Sequence, residues 1–260
     1  MKRVTGNISI GTRNFIRINN IIISEVFFKD PFLSLQLGKD VYCLKNPLVD
    51  ISKNDFPASP SLVYIKISTS SAEEIQRVEN LGFNLVDTNI LLCMKNKAGL
   101  VKSSIPHHYS IRLSRSSDRD QLGNIAQHNF RFSRFHLDPK VSNIKADRVK
   151  KVWVENFFGG NRGDYMIVSC FKDQPVGFTQ ILIKNDSELI IDLICVDSQH
   201  HGVGIASAMI SFLINEIAPS LPGSTKILVG TQISNLPSLS LYQKLGFKII
   251  SSDYVFHYHC

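Results

Sequence analysis

The stretch Val196-Asp-Ser-Gln199-His-His-Gly202-Val-Gly204-Ile-Ala206 decides the fold of this chain. It joins an apolar run, Glu188–Val196, to a segment whose apolar residues Ile205, Ala208, Met209, Phe212 and Leu213 recur at helical spacing. A strand therefore leads through a glycine turn into a helix. The first amides of a helix have no partner inside it and lie at the positive end of its dipole, so they collect anions. Glycine at 202 and 204 lets backbone approach phosphate oxygens without a Cβ clash. Two common phosphate loops are excluded. A Walker A loop needs Gly-Lys-Ser/Thr, which is absent here. A Rossmann turn places its first glycine directly after the strand. Here five residues separate Val196 from Gly202, and Ser207 stands in the third glycine place.

Upstream of this turn, three strands are expected as a meander: Tyr165–Phe171, 176–183 and Glu188–Val196, with turns at 172–175 and 184–187. Before them come a short strand at 111–113, a helix from a Ser117 cap to about 129, a loop over 130–141, and a helix over 142–158. That helix buries Val149, Trp153 and Phe157 at i, i+4 and i+8, and Gly159 and Gly160 stop it. Downstream come a helix over 204–217, a strand over 226–231, a short helix over 237–245 and a strand pair around 248–257. The order β-α-α-β-β-β-α-β-α-β predicts an α+β (mixed α/β) fold, a mostly antiparallel sheet that ends in one parallel crossover. In the first hundred residues, strands at 62–67 and 84–94 flank a helix. Ser71-Ala-Glu-Glu74 reads as its capping box and Gly82 as its stop. Residues 61–95 thus form a β-α-β unit, while 1–58 show only apolar pieces at 21–28 and 41–44. Residues 96–109 read as a linker. The expected organisation is a small N-terminal α/β domain over 1–100 and a larger domain over 108–260.

Of 260 residues, 43% are apolar and 20% charged, the balance of a folded globular chain. The net charge of +7 suits an anionic ligand. Nucleic acid is not expected, because no Lys/Arg-rich run and no recognition motif is present. None of Cys43, Cys93, Cys170, Cys195 and Cys260 lies in a CxxC pair, which reads as buried thiols in a reducing compartment. Residues 1–11 lack the apolar core of a signal peptide, and no apolar run is long enough to span a bilayer. A cytoplasmic protein without a membrane span is expected. His257 and His259 share a strand face, but no third ligand is evident, so no metal is expected.

Gln199-His-His-Gly202-Val-Gly204 resembles the pyrophosphate signature of the GNAT N-acetyltransferases. Asn235-Leu-Pro-Ser-Leu-Ser-Leu-Tyr242-Gln-Lys-Leu-Gly246-Phe247 resembles a second motif of that family, in the same order and after a strand. The resemblance covers about 108–260 and implies the GNAT fold, with acetyl-CoA as co-substrate and no metal. It implies that Gln199, His201, Gly202, Val203, Gly204, Ile205 and Ala206 grip the coenzyme A pyrophosphate. The backbone of Ile194, Cys195 and Val196 would pair with pantetheine as an added strand. Asn235 would face the cofactor arm and Tyr242 the thioester sulfur.

Amide formation from a thioester needs a neutral amine, a polarised carbonyl and a proton for the leaving thiolate. Tyr242 is the candidate general acid, and the Val196 amide a donor to the thioester oxygen. The other reading of Tyr242 is a helix tyrosine packed on the sheet. Asp192 is a candidate base: it interrupts an apolar strand and shares a face with Ile190 and Ile194. A structural carboxylate is the competing reading. His136 is the alternative base, and a water chain would replace either.

The loop Phe130-Arg-Phe-Ser-Arg-Phe-His-Leu-Asp138-Pro139 borders the acceptor side in the GNAT fold. Its aromatics can stack on a base or sugar and its arginines can pair with a diphosphate, so Arg131, Ser133, Arg134 and His136 are the substrate-binding candidates; the competing reading is a loop whose Phe residues merely cover the core. This loop, Trp153-Val-Glu-Asn156, Val229-Gly-Thr-Gln232, and Leu81-Gly-Phe83 near Asp87-Thr88 are similar to the dTDP-fucosamine acetyltransferase group. That similarity implies a nucleotide-linked amino sugar, a dTDP-4-amino-4,6-dideoxyhexose, as acceptor, a place in bacterial O-antigen and lipopolysaccharide synthesis, and a homodimer. Two other readings stay open. One is a GNAT enzyme acting on a protein N-terminus, a polyamine or an antibiotic, for which an acidic cleft would be expected. The other is a non-catalytic acyl-CoA sensor, which an intact turn with Tyr242 argues against.

Overall fold

The computed structural model describes residues 26–45, 47, 51–95, 104–184, 188–221 and 226–260, with the backbone of 17–18 and 21–22. In chain order the elements are β1 (Arg17–Ile18), β2 (Ile21–Ile22), β3 (Phe27–Lys29), α1 (Pro31–Leu37), β4 (Asp40–Leu44), β5 (Ser61–Ser68), α2 (Ala72–Leu81), β6 (Asn84–Lys95), β7 (Tyr109–Leu113), α3 (Arg119–Asn129), α4 (Asn143–Phe158), β8 (Tyr165–Phe171), β9 (Gln174–Lys184), β10 (Glu188–Val196), α5 (Ile205–Phe212), β11 (Lys226–Gln232), α6 (Leu236–Lys244) and β12 (Lys248–His259). The fold is α+β, as expected.

Strands β3 to β12 make one sheet in the order β3-β4-β5-β12-β6-β11-β10-β9-β8-β7. The meander β7-β8-β9-β10 is antiparallel, and β10 pairs with β11 in parallel through the α5 crossover. The turn between β8 and β9 places Lys172 and Asp173 at positive φ (47° and 66°), as a tight hairpin requires. Residues 185–187 of the next expected turn, and 96–103 of the expected linker, lie outside the described residues.

The expected strand pair near 248–257 is one long strand instead. Both edges of β12 are taken by the first hundred residues: β5 on one side and β6 on the other, each antiparallel. β6 also pairs with β11 from Lys226↔Lys95 to Gln232↔Asn89. The β-α-β unit is therefore split by β12, and the parts of the chain assigned to 1–100 and 108–260 share a continuous sheet. A single-sequence reading sees local hairpins more readily than the β12 pairings, which join residues 155 or more apart in the chain.

Two local signals behave differently from expectation. Ser71 makes no side-chain cap to α2, although Gly82 ends that helix in the left-handed region (φ 92°). Asp118, not Ser117, anchors the start of α3: it accepts from the Arg115 amide at 2.7 Å and pairs with both terminal nitrogens of Arg112 at 2.7 and 2.9 Å.

Helices cover both faces. On one, α5 and α6 bury Met209, Ile210, Leu239 and Tyr242 against Ile90, Leu92, Leu189, Ile191 and Val229. On the other, α3 and α4 bury Leu122, Ile125, Ala126 and Val154 against Met166, Val168, Phe178, Leu193 and Cys195. Further along that face, α1 and α4 bury Leu33, Leu37 and Val149 with Leu62 and Phe135.

Candidate active site

The pairing of β10 with β11 runs from Glu188↔Lys226 to Ile191↔Val229 and stops there. β10 continues along β9 to Val196, and β11 along β6 to Gln232. The two central strands thus part at Asp192. Beyond that point, each amide and carbonyl of Leu193–Val196 directed toward β11 has no strand partner. A buried, unpaired backbone edge is costly, so this wedge is built to take another chain-like group.

At the mouth of the wedge lies the glycine turn. Gly202 and Gly204 hold φ of 81° and 89°, and Gly204 is the N-cap of α5. A Cβ on Gly202 would meet nothing within 4 Å; one on Gly204 would meet the Ser104 carbonyl at 3.5 Å. Both glycines are there for their backbone conformation. The turn is braced. Gln199 N donates to Asp197 Oδ1 (3.1 Å), His201 Nε2 to the Val196 carbonyl (2.9 Å), and Ser198 N to Asn129 Oδ1 (2.9 Å). His200 Nδ1 lies 2.9 Å from the Tyr109 hydroxyl. Gln199 and Val203 are exposed, while Ile205 is buried and Ala206 half-buried at the start of α5. Asn235 caps α6, its Oδ1 accepting from Ser238 N at 3.3 Å.

Tyr242, on α6, is 2% exposed and packs edge-tilted on Phe247 (ring centroids 5.7 Å apart). Its hydroxyl bonds to none of the described residues, and burial pushes the phenol above its usual range. It keeps its proton throughout the neutral pH range.

Asp192 sits at a bulge: the β9–β10 register shifts between Ile191 and Leu193. The bulge reverses the alternation of β10. Leu189, Ile191, Ile194 and Val196 pack with the α5 side, whereas Leu193 and Cys195 pack with the α3–α4 side. Asp192 therefore does not share a face with Ile194, as simple alternation predicts; it points under α4. Arg162 clamps it there, donating from Nε to Oδ2 at 2.7 Å and from Nη2 to Oδ1 at 2.6 Å, and Gln180 Nε2 adds a 3.1 Å bond to Oδ2. A carboxylate 10% exposed and held by three donors matches the structural reading of Asp192 better than that of a free base.

His136 is similarly engaged. Its Nδ1 lies 2.6 Å from Ser133 Oγ and its Nε2 3.0 Å from Asp147 Oδ1, and Arg131 Nη1 lies 3.7 Å from the same carboxylate oxygen. Arg134 stacks on Tyr64 (3.9 Å to the ring centroid) and Phe135 (4.8 Å), with its Nη1 sealed from water and unpartnered. Of the loop candidates, Arg134 thus faces the interior, Ser133 and His136 brace the loop, and Arg131 lies at its exposed rim.

The third partner missing for His257 and His259 is present. Asp138 Oδ2 accepts from His257 Nδ1 (2.6 Å) and His259 Nε2 (2.7 Å), tying the loop to β12. Burial would raise this carboxyl, but the two imidazole donors overcome it and hold Asp138 well below the usual carboxylate range. Lys39 Nζ donates to His259 Nδ1 at 2.9 Å. These are hydrogen-bond lengths, and the neighbouring ammonium disfavours a cation, so the trio reads as a latch.

Lys150 escaped the sequence reading, and the environment of Trp153 and Asp87, named there only for helix packing or as points of resemblance, was not foreseen. Lys150 of α4 is 9% exposed, and Trp153 lies one turn on. Asp87 is buried on β6 with Oδ1 unpartnered, and burial pushes its carboxyl up to about 6. A Lys-x-x-Trp pair on one helix face was the available signal.

Residues 125–247 match the model of the acetyltransferase (GNAT) family. The chain is 28% identical over 152 residues to the spore coat polysaccharide biosynthesis protein SpsD of Bacillus subtilis, covering 58% of this chain and 51% of that protein. The chain thus spans about half the length of the curated relative it matches. Among solved structures, a protein of unknown function from Staphylococcus epidermidis superposes with a TM-score of 0.60 at 15% identity, covering 87% of this chain and 88% of that one. A GCN5-related N-acetyltransferase from Sphaerobacter thermophilus gives 0.56 at 14% identity, covering 79% and 62%. These similarities show the fold.

Proposed function

We propose that this chain, whose residues 125–247 match the model of the GNAT acetyltransferase family, transfers the acetyl group of acetyl-CoA to the amine of a nucleotide-linked amino sugar. The supporting observation is the wedge: β10 and β11 part after Ile191 and Val229, directly before the Gly202–Gly204 turn and the start of α5. Pyrophosphate would sit on the amides of about 201–205, and pantetheine would run along the free edge of Leu193–Val196. The amine attacks the thioester directly, in a ternary complex. The Val196 amide stabilises the developing oxyanion, and Tyr242 protonates the departing sulfur.

The acceptor enters from the α3–α4 face, because α5 and α6 floor the other. The guanidiniums of Arg134 and Arg162 give that face a positive character, with the half-buried rings of Tyr64 and Trp153 beside them. This suits a nucleoside diphosphate joined to a sugar and disfavours a polycationic acceptor. The name of the Bacillus subtilis relative, a spore coat polysaccharide biosynthesis protein, points the same way. The acceptor we favour is a dTDP-4-amino-4,6-dideoxyhexose destined for a surface polysaccharide, and the place of action is the cytoplasm. Thiol release from acetyl-CoA should require the 4-amino sugar and be absent with its 4-hydroxy analogue. Thiol release with neither sugar, in the presence of demonstrable acetyl-CoA binding, would remove this substrate.

A further inference from the structure

The polar groups beside the point where β10 and β11 part are incompletely satisfied on the α4 face. Trp153 Nε1 and Gln180 Oε1 are both buried without a partner. Orphaned buried polar atoms cost free energy and are rare, and two within one cluster mark a place where a polar molecule belongs. Gln180 reaches it from β9 and Trp153 from α4. Arg162 lies over the Trp153 ring, 4.8 Å from its centroid, while clamping Asp192.

Lys150 projects from α4 into the same cluster. Its Nζ lies 4.7 Å from the Phe130 ring centroid and 4.9 Å from that of Trp153. None of the described residues hydrogen-bonds or ion-pairs with it. The charged and titratable groups around it are Asp192 and Cys195 of β10, Arg134 of the loop and Arg162 after α4. Asp192 is committed to Arg162, Cys195 is a thiol that burial pushes up to about 12, and the two guanidiniums repel a third cation. A desolvated ammonium with no carboxylate of its own is unstable as a cation.

We propose that Lys150, as the free amine, takes the proton from the acceptor's ammonium group at the entrance to the thioester site. This rests on the acetyl-transfer reading above. Burial lowers the Lys150 ammonium to about 8, so a usable share is neutral near pH 7.5 and above. The balance closes. The acceptor's ammonium gives one proton to Lys150 Nζ. The freed lone pair forms the C–N bond at the thioester carbon. The C–S bond breaks, its electron pair leaves on sulfur, and the Tyr242 hydroxyl protonates that sulfur. The second nitrogen-bound proton restores the phenol, and Lys150 sheds its proton to solvent.

Lys150→Arg and Lys150→Met separate this role from simple anion holding. Guanidinium keeps the charge and cannot shed a proton at working pH. For a proton acceptor, both variants lose ~10²–10⁴-fold in kcat, with acetyl-CoA affinity, which also reports folding, unchanged. If Lys150→Arg keeps wild-type kcat and only Lys150→Met raises KM, Lys150 holds an anion and the proposal is overturned. The second arm needs no acceptor: in 15N-lysine spectra of the full chain, the Lys150 Nζ signal, assigned by its loss in Lys150→Arg, should titrate with a midpoint near 8 and match the acid limb of kcat. An ordinary midpoint near ~10.4 overturns the proposal. Failure of the wild type to acetylate any dTDP-amino sugar, with the midpoint still near 8, counts against the substrate and not against Lys150.

Discussion

Replacing Tyr242 with Phe should leave the fold as stable as before while removing most of the activity. The side chain is 2% exposed, and the phenyl ring keeps its packing on Phe247. The hydroxyl bonds to none of the described residues, so its deletion costs no hydrogen bond. A fully buried unpaired hydroxyl carries a desolvation penalty of ~1–3 kcal/mol. Relief of that penalty is offset in part by the small void left where the oxygen sat, so the net gain should be about 0–1 kcal/mol. For a chain of this size, that is a Tm unchanged or raised by roughly 2–4 °C at most. Loss of a general acid, in contrast, costs ~10²–10⁴-fold in kcat. Thermal melts and thiol-release kinetics on the same preparation give both numbers, with acetyl-CoA affinity as control. A lowered Tm with retained kcat would refute the reasoning and make Tyr242 a packing residue.

Gly202→Ala meets no atom within 4 Å, so its effect is strain at φ 81° alone, ~1–2 kcal/mol. With the turn relaxing in the free protein, calorimetry should show acetyl-CoA binding weakened ~5–30-fold; unchanged affinity would contradict a role for this turn. Asp192→Asn breaks the Arg162 clamp. With Arg162 36% exposed, the loss should be about 1–3 kcal/mol rather than the larger value of a fully buried pair; an unaltered Tm with abolished kcat would restore Asp192 as a base. The Asp138 latch gives a pH dependence. His257 is held below its usual value, first by burial, so the unfolded chain binds its proton before the folded one and stability declines as pH falls below ~6.5. Asp138, also depressed, adds a second loss below ~3.9. Tm measured from pH 7.5 to 4 should fall, and less so in His257→Gln; a flat wild-type profile would contradict the latch.

Much of the wedge was legible because its signals are local. The Gly202–Gly204 turn, the apolar run before it and the periodic helix after it lie within about 25 residues, and β10 and α4 fall where periodicity places them. What was not legible depends on distance in sequence or on a single inserted residue. Insertion of β12 between β5 and β6 joins residues 170 or so apart, which no window of alternation reveals. The bulge at Asp192 turns that side chain to the opposite face from Ile194, and strict alternation misassigns it. Asp138 could not be matched to His257 and His259 before the loop was seen against β12. Lys150 lay unnoticed because a lone lysine in an amphipathic helix usually faces water; its burial follows from Phe130 and Trp153 closing over it.

Backbone hydrogen exchange with and without acetyl-CoA tests the wedge most directly. Binding should protect alternate amides of Leu193–Val196 together with those of 201–205, and leave the paired amides of Glu188–Ile191 unchanged. Acetyl-CoA binding that leaves 193–196 and 201–205 exchanging as before, or protects another surface, would contradict coenzyme binding in the opening between β10 and β11.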